Sequence, residues 1–349
     1  MKALILKSNK RFKIENIILS PIKNNECRIK IMNVGICSSD VPRSFQKKTY
    51  FYPLIMGHEI SGKIVDIGTK VKNFKINDKV SIYPLIPCMK CNNCMRNNYQ
   101  LCIDYKYYGS RNNGGYCEFL NVNEWNLIKL PKNITYENGS LIEPLSVVIS
   151  AIRKLNINYK KINSNILIIG SGFLGLLALK LMRKKSKNIN VSIIDKNILK
   201  INKAKKFTNY AYIENERKFN KDLANKKFDY ILEATGSTYA LKRSIELASN
   251  NAKIVWIGNI SEKLNLNSNT VMNIIRKEIK IQGSWNSQYK NNINDDWKKA
   301  LKYLNNGLYI KDIITHRMKL DKVPGFLKKI NDHKNKKNKF NYIKGMLKI

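Results

Sequence analysis

Cys88, Cys91, Cys94 and Cys102 fall within fifteen residues, in the run PCMKCNNCMRNNYQLC. The spacing C-x2-C-x2-C-x7-C lets one short loop fold back and aim four thiolates at a single tetrahedral zinc. Disulfides are the competing use of clustered cysteine, but they belong to small secreted chains, and this one has 349 residues. A zinc with four sulfur ligands has no position left for substrate, so such a centre is structural. Chemistry requires a second, open site. Cys37 in GICSSD, His58 and Glu59 in MGHEISGKIVDIGTKV, and Glu143 in IEP have the right types: one Cys, one His and a carboxylate leave a coordination position for water or substrate. Only three histidines exist, and His58 alone lies in a metal-type motif; His316 and His333 read as structural or solvated.

A second pattern points to a nucleotide. Gly170, Gly172 and Gly175 form G-x-G-x-x-G between a strand-like run, NILIIG, and a helical one, FLGLLALKLM. Glycine suits the tight turn, the close approach of pyrophosphate to backbone, and the packing of helix on strand, and the helix N-terminus receives the negative charge. Asp195, ending VSIID, stands where a carboxylate meets the adenosine ribose hydroxyls. A carboxylate there repels a 2′-phosphate, which favours NAD over NADP.

The elements that must hold these residues change texture along the chain. Residues 1–140 are rich in short apolar runs broken by Gly, Pro and Asn, with MKALILKSNKRFKI as a first strand rather than a signal peptide. Residues 141–289 alternate strand runs (NILIIG, VSIID, YAYI, FDYILEAT, AKIVWIG, IKIQGSW) with helical ones (ILKINKAKKF, YALKRSIELAS), which argues a parallel sheet. Residues 290–349 read as helix, strand, helix and strand, and the tract HKNKKNKFN as a solvated loop. Cys27 and Cys117, in strand-like runs, read as small core residues.

A formal charge of +39 invites nucleic acid as a partner. The basic residues are spread through every segment, Lys far outnumbers Arg, and Asn and Ile are over-used with it. That is the signature of a compositional bias, so no specific nucleic-acid partner is expected, nor any membrane, and the chain reads as cytoplasmic.

Taken together, these motifs resemble the zinc-dependent medium-chain alcohol and polyol dehydrogenases. The pattern G-H-E-x2-G-x5-G-x2-V is met by Gly57, His58, Glu59, Gly62, Gly68 and Val71. The stretches DVPRSFQKKTYFYPLIMGHE, PLIPCMKCNNC, YYGSRNNGGYCEFL, GSWNSQY and ITHRM are similar to the polyol-phosphate branch of that family. The resemblance implies an α/β chain: a β-rich GroES-like catalytic domain with a structural zinc lobe (1–140, completed by 290–349) and a Rossmann doubly wound parallel-sheet domain (141–289). It implies two zinc ions, NAD, a homo-oligomer (dimer or tetramer), and oxidation of galactitol 1-phosphate to tagatose 6-phosphate. A sorbitol or other unphosphorylated polyol dehydrogenase is the alternative, and a degenerate relative that binds nucleic acid is another.

By the same resemblance Cys37, His58 and Glu143 hold the catalytic zinc, with Glu59 close enough to exchange with Glu143 or with water. Ser39 takes the alcohol proton, Asp40 orients the imidazole, and Lys200 offers a base to the adenosine ribose. Ser38, Val148 and Ser150 depart from the residues relatives often carry, Gly, Gly and His. A substrate phosphate wants a planar bidentate donor, which Arg43 and Arg111 can supply.

Overall fold

The computed structural model describes residues 1–349 apart from 160–163, 187–188, 215–222, 224–225, 261, 291–294 and 336–338. The chain divides into two compact units, Met1–Pro144 with Gln288–Ile349, and Leu145–Ser287. Among the described residues no helix is long and apolar enough to cross a membrane. The centre of the tract HKNKKNKFN, at 336–338, lies outside the described residues.

In the first unit the alternating run of Glu26–Ile36 buries Cys27, Ile29 and Ile31 on one face. This strand is the spine of a seven-stranded sheet. Leu127–Lys129, Lys79–Ile82, Glu59–Ile67, Glu26–Ile36, Gly345–Lys348 and His316–Met318 follow one another across it. The edge of the spine away from Glu59–Ile67 is shared: Glu26–Lys30 pair with Phe119–Asn123, and Asn33–Ile36 pair with Gly345–Lys348. Ile60, Ile64, Val80, Val122 and Leu347 close over the inner face together with Phe326 and Leu327 of the helix Val323–Lys334.

The expected first strand is a hairpin. Lys2–Ser8 and Arg11–Asn16 pair antiparallel, turning at Lys10 with φ 67°. The turn SNK carries Ser and Asn, which favour turns, but neither Gly nor Pro, the strongest markers of a break. Cys117 makes an isolated bridge to Ala3 rather than lying in a strand.

The second unit is a six-stranded sheet, every neighbouring pair parallel, in the order Ala211–Ile213, Asn190–Asp195, Asn165–Ile169, Phe228–Glu233, Ala248–Trp256, Lys280–Gly283. The chain starts in mid-sheet, proceeds to one side, then returns and builds the other, so the strand order reverses beside Asn165–Ile169. This is the doubly wound Rossmann arrangement. Ile166–Ile169 are all buried, as parallel strands covered on both faces must be.

Two further elements differ from the sequence reading. The helix expected over YALKRSIELAS stops at Glu246, and Ala248 already belongs to a strand. A helix over Ser268–Arg276, not evident from pattern, is capped by Asn267, whose side chain accepts from the Thr270 N–H.

Candidate active site and metal centres

Three neighbouring strand ends meet in the middle of one end of the seven-stranded sheet. Gly35 pairs with Glu59 and Ile36 with Gly345, so the antiparallel register sets Cys37, His58, Glu59 and Lys344 around a common point. Ligand atoms of Cys37, His58 and Glu59 lie within 4.8 Å of one another. Glu143, opening the helix Ile142–Leu155, stands outside that group; its Oε1 accepts from the Tyr107 hydroxyl at 3.2 Å, and the Tyr107 ring lies edge-on to His58 with centroids 5.8 Å apart.

The helix Asp40–Phe45 braces this group from the side. Buried Asp40 accepts through Oδ2 from the Cys37 N–H (3.2 Å) and the Tyr116 hydroxyl (2.8 Å). Its Oδ1 is 3.8 Å from His58 Nδ1, beyond hydrogen-bond range, and 3.2 Å from Arg43 Nη1. Arg43 also donates to Ser39 Oγ at 2.9 Å, so this guanidinium is engaged by the residues beside the cluster. Arg111 is elsewhere in the unit, its guanidinium 4.2 Å from the Tyr50 ring centroid and 4.3 Å from that of Tyr105.

The donor set suits a divalent cation. Burial works to raise the Cys37 thiol, but the charge and hydrogen bond of His58 outweigh it and bring the group below its ordinary value. For His58 the balance is reversed: burial works to lower it, and the Cys37 thiolate and Asp40 carry it up to about 9. Burial, opposed by His58 and reinforced by Glu59, pushes Glu143 up to about 7. Glu59 Oε2 and His58 Nδ1 are buried without a hydrogen-bond partner. A cation that takes up the thiolate, the imidazole and a carboxylate removes the proton His58 otherwise keeps.

Zinc uptake by the metal-free protein is therefore expected to release about one proton at this site near neutral pH. Since His58 titrates at about 9, affinity should fall as pH drops below that value. A weakly buffered dye titration, comparing the parent chain with His58→Asn to subtract the cysteine lobe, reads the proton directly. Equal release from both chains would refute the coupling.

The cysteine lobe has its own logic. Cys88, Cys91, Cys94 and Cys102 bring their sulfurs within 4.8 Å of one another. Cys91 and Cys94 are 3.6 Å apart and Cys88 and Cys94 4.0 Å, well beyond the ~2.05 Å of a disulfide. Backbone N–H groups of Ile103 and Cys94 bring Cys91 down to about 6, whereas burial pushes Cys94 up to about 12. Only a cation shared by all four makes thiolates of the whole set.

In the second unit the three turn glycines have separate duties. Gly170 has φ +100°, a conformation open to glycine; a Cβ on Gly172 would meet nothing within 4 Å; one on Gly175 would come 1.9 Å from the Gly170 carbonyl oxygen. These are the turn, the open approach and the close packing that a pyrophosphate at the start of helix Phe173–Lys185 needs. Asp195 ends its strand beside them, with Oδ2 accepting from the Ser171 N–H at 2.8 Å and Oδ1 from the Asn197 N–H at 2.9 Å. Lys200 is half-buried in the helix Ile198–Ala204 that follows.

Comparison with known proteins agrees with this geometry. Residues 23–132 match the alcohol dehydrogenase GroES-like domain and residues 136–335 the glucose dehydrogenase C-terminus. Galactitol 1-phosphate 5-dehydrogenase of Escherichia coli K12 is 30% identical over 324 residues, 91% of this chain and 92% of that protein. The chain belongs to the zinc-type medium-chain alcohol dehydrogenase family. Sorbitol dehydrogenase of Bacillus subtilis, another relative of this dehydrogenase, is 27% identical over 348 residues, 96% of this chain and 95% of that one. The crystal structure of galactitol-1-phosphate dehydrogenase from Escherichia coli superposes with a TM-score of 0.88 at 29% identity, covering 100% of both chains.

Lys344 is a member of this candidate site that sequence reasoning missed. It is buried and donates to Glu59 Oε1 at 2.5 Å. In so lysine-rich a chain its type carries no signal.

Proposed function

We propose that the chain oxidises a polyol phosphate to a ketose phosphate with hydride transfer to NAD, the pair galactitol 1-phosphate and tagatose 6-phosphate being the reading its sequence relatives support. The observation that carries it is the cluster of half-buried Cys37 with buried His58 and Glu59, with Glu143 beside it. Zinc held there by Cys37, His58 and Glu59 or Glu143 supplies a Lewis acid that lowers the pKa of a substrate hydroxyl, and a second zinc ties the four cysteines of the lobe.

The chain's own residues do the rest. Ser39 accepts from Arg43, which leaves its hydroxyl hydrogen free to be passed on as it takes the alcohol proton. The carbinol carbon loses a hydride to nicotinamide and the oxygen loses its proton, so a ketone, NADH and H⁺ result. Gly170, Gly172 and Gly175 admit the pyrophosphate, and Asp195 takes the ribose hydroxyls and disfavours a 2′-phosphate.

Arg111, its guanidinium close to the Tyr50 and Tyr105 rings and donating to the Tyr50 hydroxyl at 3.0 Å, serves the substrate phosphate: these contacts restrain the side chain and so reduce the entropy lost when a dianion binds it. The test is NADH formation over a panel of polyols and their phosphates, with NAD and NADP as oxidants. The phosphorylated substrate and NAD should win in kcat/KM. Arg111→Ala should cost about 1.5–3 kcal/mol, roughly ten- to a hundredfold, on the phosphate and far less on its parent polyol. Equal losses on both, or no preference in the parent enzyme, would favour an unphosphorylated polyol.

A further inference from the structure

Two buried carboxylates compete for one metal position in this site. A divalent ion, the Cys37 thiolate and one carboxylate sum to zero charge, and Asp40 is matched by Arg43. A second carboxylate leaves one negative charge uncompensated in a place closed to water, which is costly. Glu59 is 1% exposed, and the ion paired with it is Lys344, 4% exposed, at 2.5 Å. The lysine is fixed in turn. Its carbonyl accepts from the N–H groups of Thr315 and His316, and its own N–H donates to Thr315 Oγ1 at 3.3 Å. The strand Gly345–Lys348 then pins the next residue against Ile36.

The carboxylate of Glu59 is thus held at one end only. Oε1 belongs to Lys344, while Oε2 is buried without a partner and lies over Gly35, where a Cβ would be 1.9 Å away. Resting on the zinc site proposed above, we infer that Lys344 is a positioning residue for Glu59. It cancels the charge of that carboxylate and restrains it, leaving a coordination position open to substrate. Without the ammonium, Glu59 loses its ion-pair partner and is drawn to the metal, where the carboxylate takes the substrate's place.

The test uses full-length protein with cobalt(II) exchanged into the open site, because cobalt's visible bands weaken as coordination number rises. Lys344→Met should weaken those bands and lower turnover on the order of ten- to a hundredfold. Lys344→Arg, which keeps the charge, should retain the parent spectrum. Adding Glu59→Gln to Lys344→Met should restore the stronger bands, because the competing carboxylate is gone. If the Met variant fails to fold, Lys344→Gln carries the same comparison. Normal cobalt uptake with an unchanged spectrum in the uncharged variant overturns the role of Lys344. No uptake at Cys37 in the parent chain overturns the metal reading itself, and this inference with it.

Discussion

Cys37→Ser should reduce turnover on the order of a thousandfold or more, about 4 kcal/mol of transition-state stabilisation, while leaving fold and lobe intact. On the proposed function the Cys37 thiolate is the anionic ligand beside His58, and serine at that position would be a poor ligand for zinc at neutral pH. The substitution is nearly isosteric and lies at a strand end, so packing of Ile29, Ile31 and Val34 is untouched. Activity, metal content and melting temperature must be measured together. The expected result is one zinc retained, a melting temperature close to the parent and almost no NADH formation. A variant with both zincs or with ordinary turnover would mean that Cys37 is not the open site's ligand.

Cys94→Ser should do the reverse: loosen the molecule first and the chemistry second. Between Cys88 and Cys102 the only regular structure is the helix Asn92–Met95 and the short turn Tyr99–Leu101. Met95 and Leu101 are 72% and 50% exposed, so the lobe has little apolar core of its own. A metal shared by the four cysteines would stand in for one. Structural zinc binds isolated peptides with an apparent ~10 kcal/mol or more, and losing a fraction of that exceeds the ~1 kcal/mol of an average substitution. Limited proteolysis should cut within the lobe, the melting temperature should fall, and the lobe zinc should be missing. Activity should decline less, through the short ribbon Leu85–Ile86 with Lys106–Tyr107, because Tyr107 carries the hydrogen bond to Glu143. Unaltered proteolysis and melting would show that the cysteines hold the lobe without metal.

These two sites were legible at very different levels. The lobe and the glycine turn are local: their ligands and dihedral demands fall within a few residues, so spacing alone identifies the chemistry. The Rossmann strands were legible for a related reason, since parallel strands covered on both faces become unbroken apolar runs. The open site was only half visible. Cys37, His58 and Glu59 stand in motifs, but Lys344 lies 285 residues from Glu59, and only the register of strands joins them. The clamp on Arg111 was hidden in the same way, with Tyr50 61 residues away. The order of the two carboxylates also escaped pattern, because which of Glu59 and Glu143 approaches Cys37 depends on a hydroxyl and an ammonium contributed by other segments. The helix Ser268–Arg276 was missed for a simpler reason: Asn, Ser and Thr at its start read as loop until Asn267 is seen to cap it.

The divided edge of the strand Glu26–Ile36 bears on how the molecule is made. Phe119–Asn123 covers its first half early in synthesis, but Asn33–Ile36 wait for Gly345–Lys348, which emerge only after the whole of Leu145–Ser287 has left the ribosome. Throughout that interval a row of unpaired backbone donors and acceptors stands open immediately before Cys37, a template for any other extended chain. The part of the sheet that leads into Cys37 is the part whose second edge stays open longest on the nascent chain.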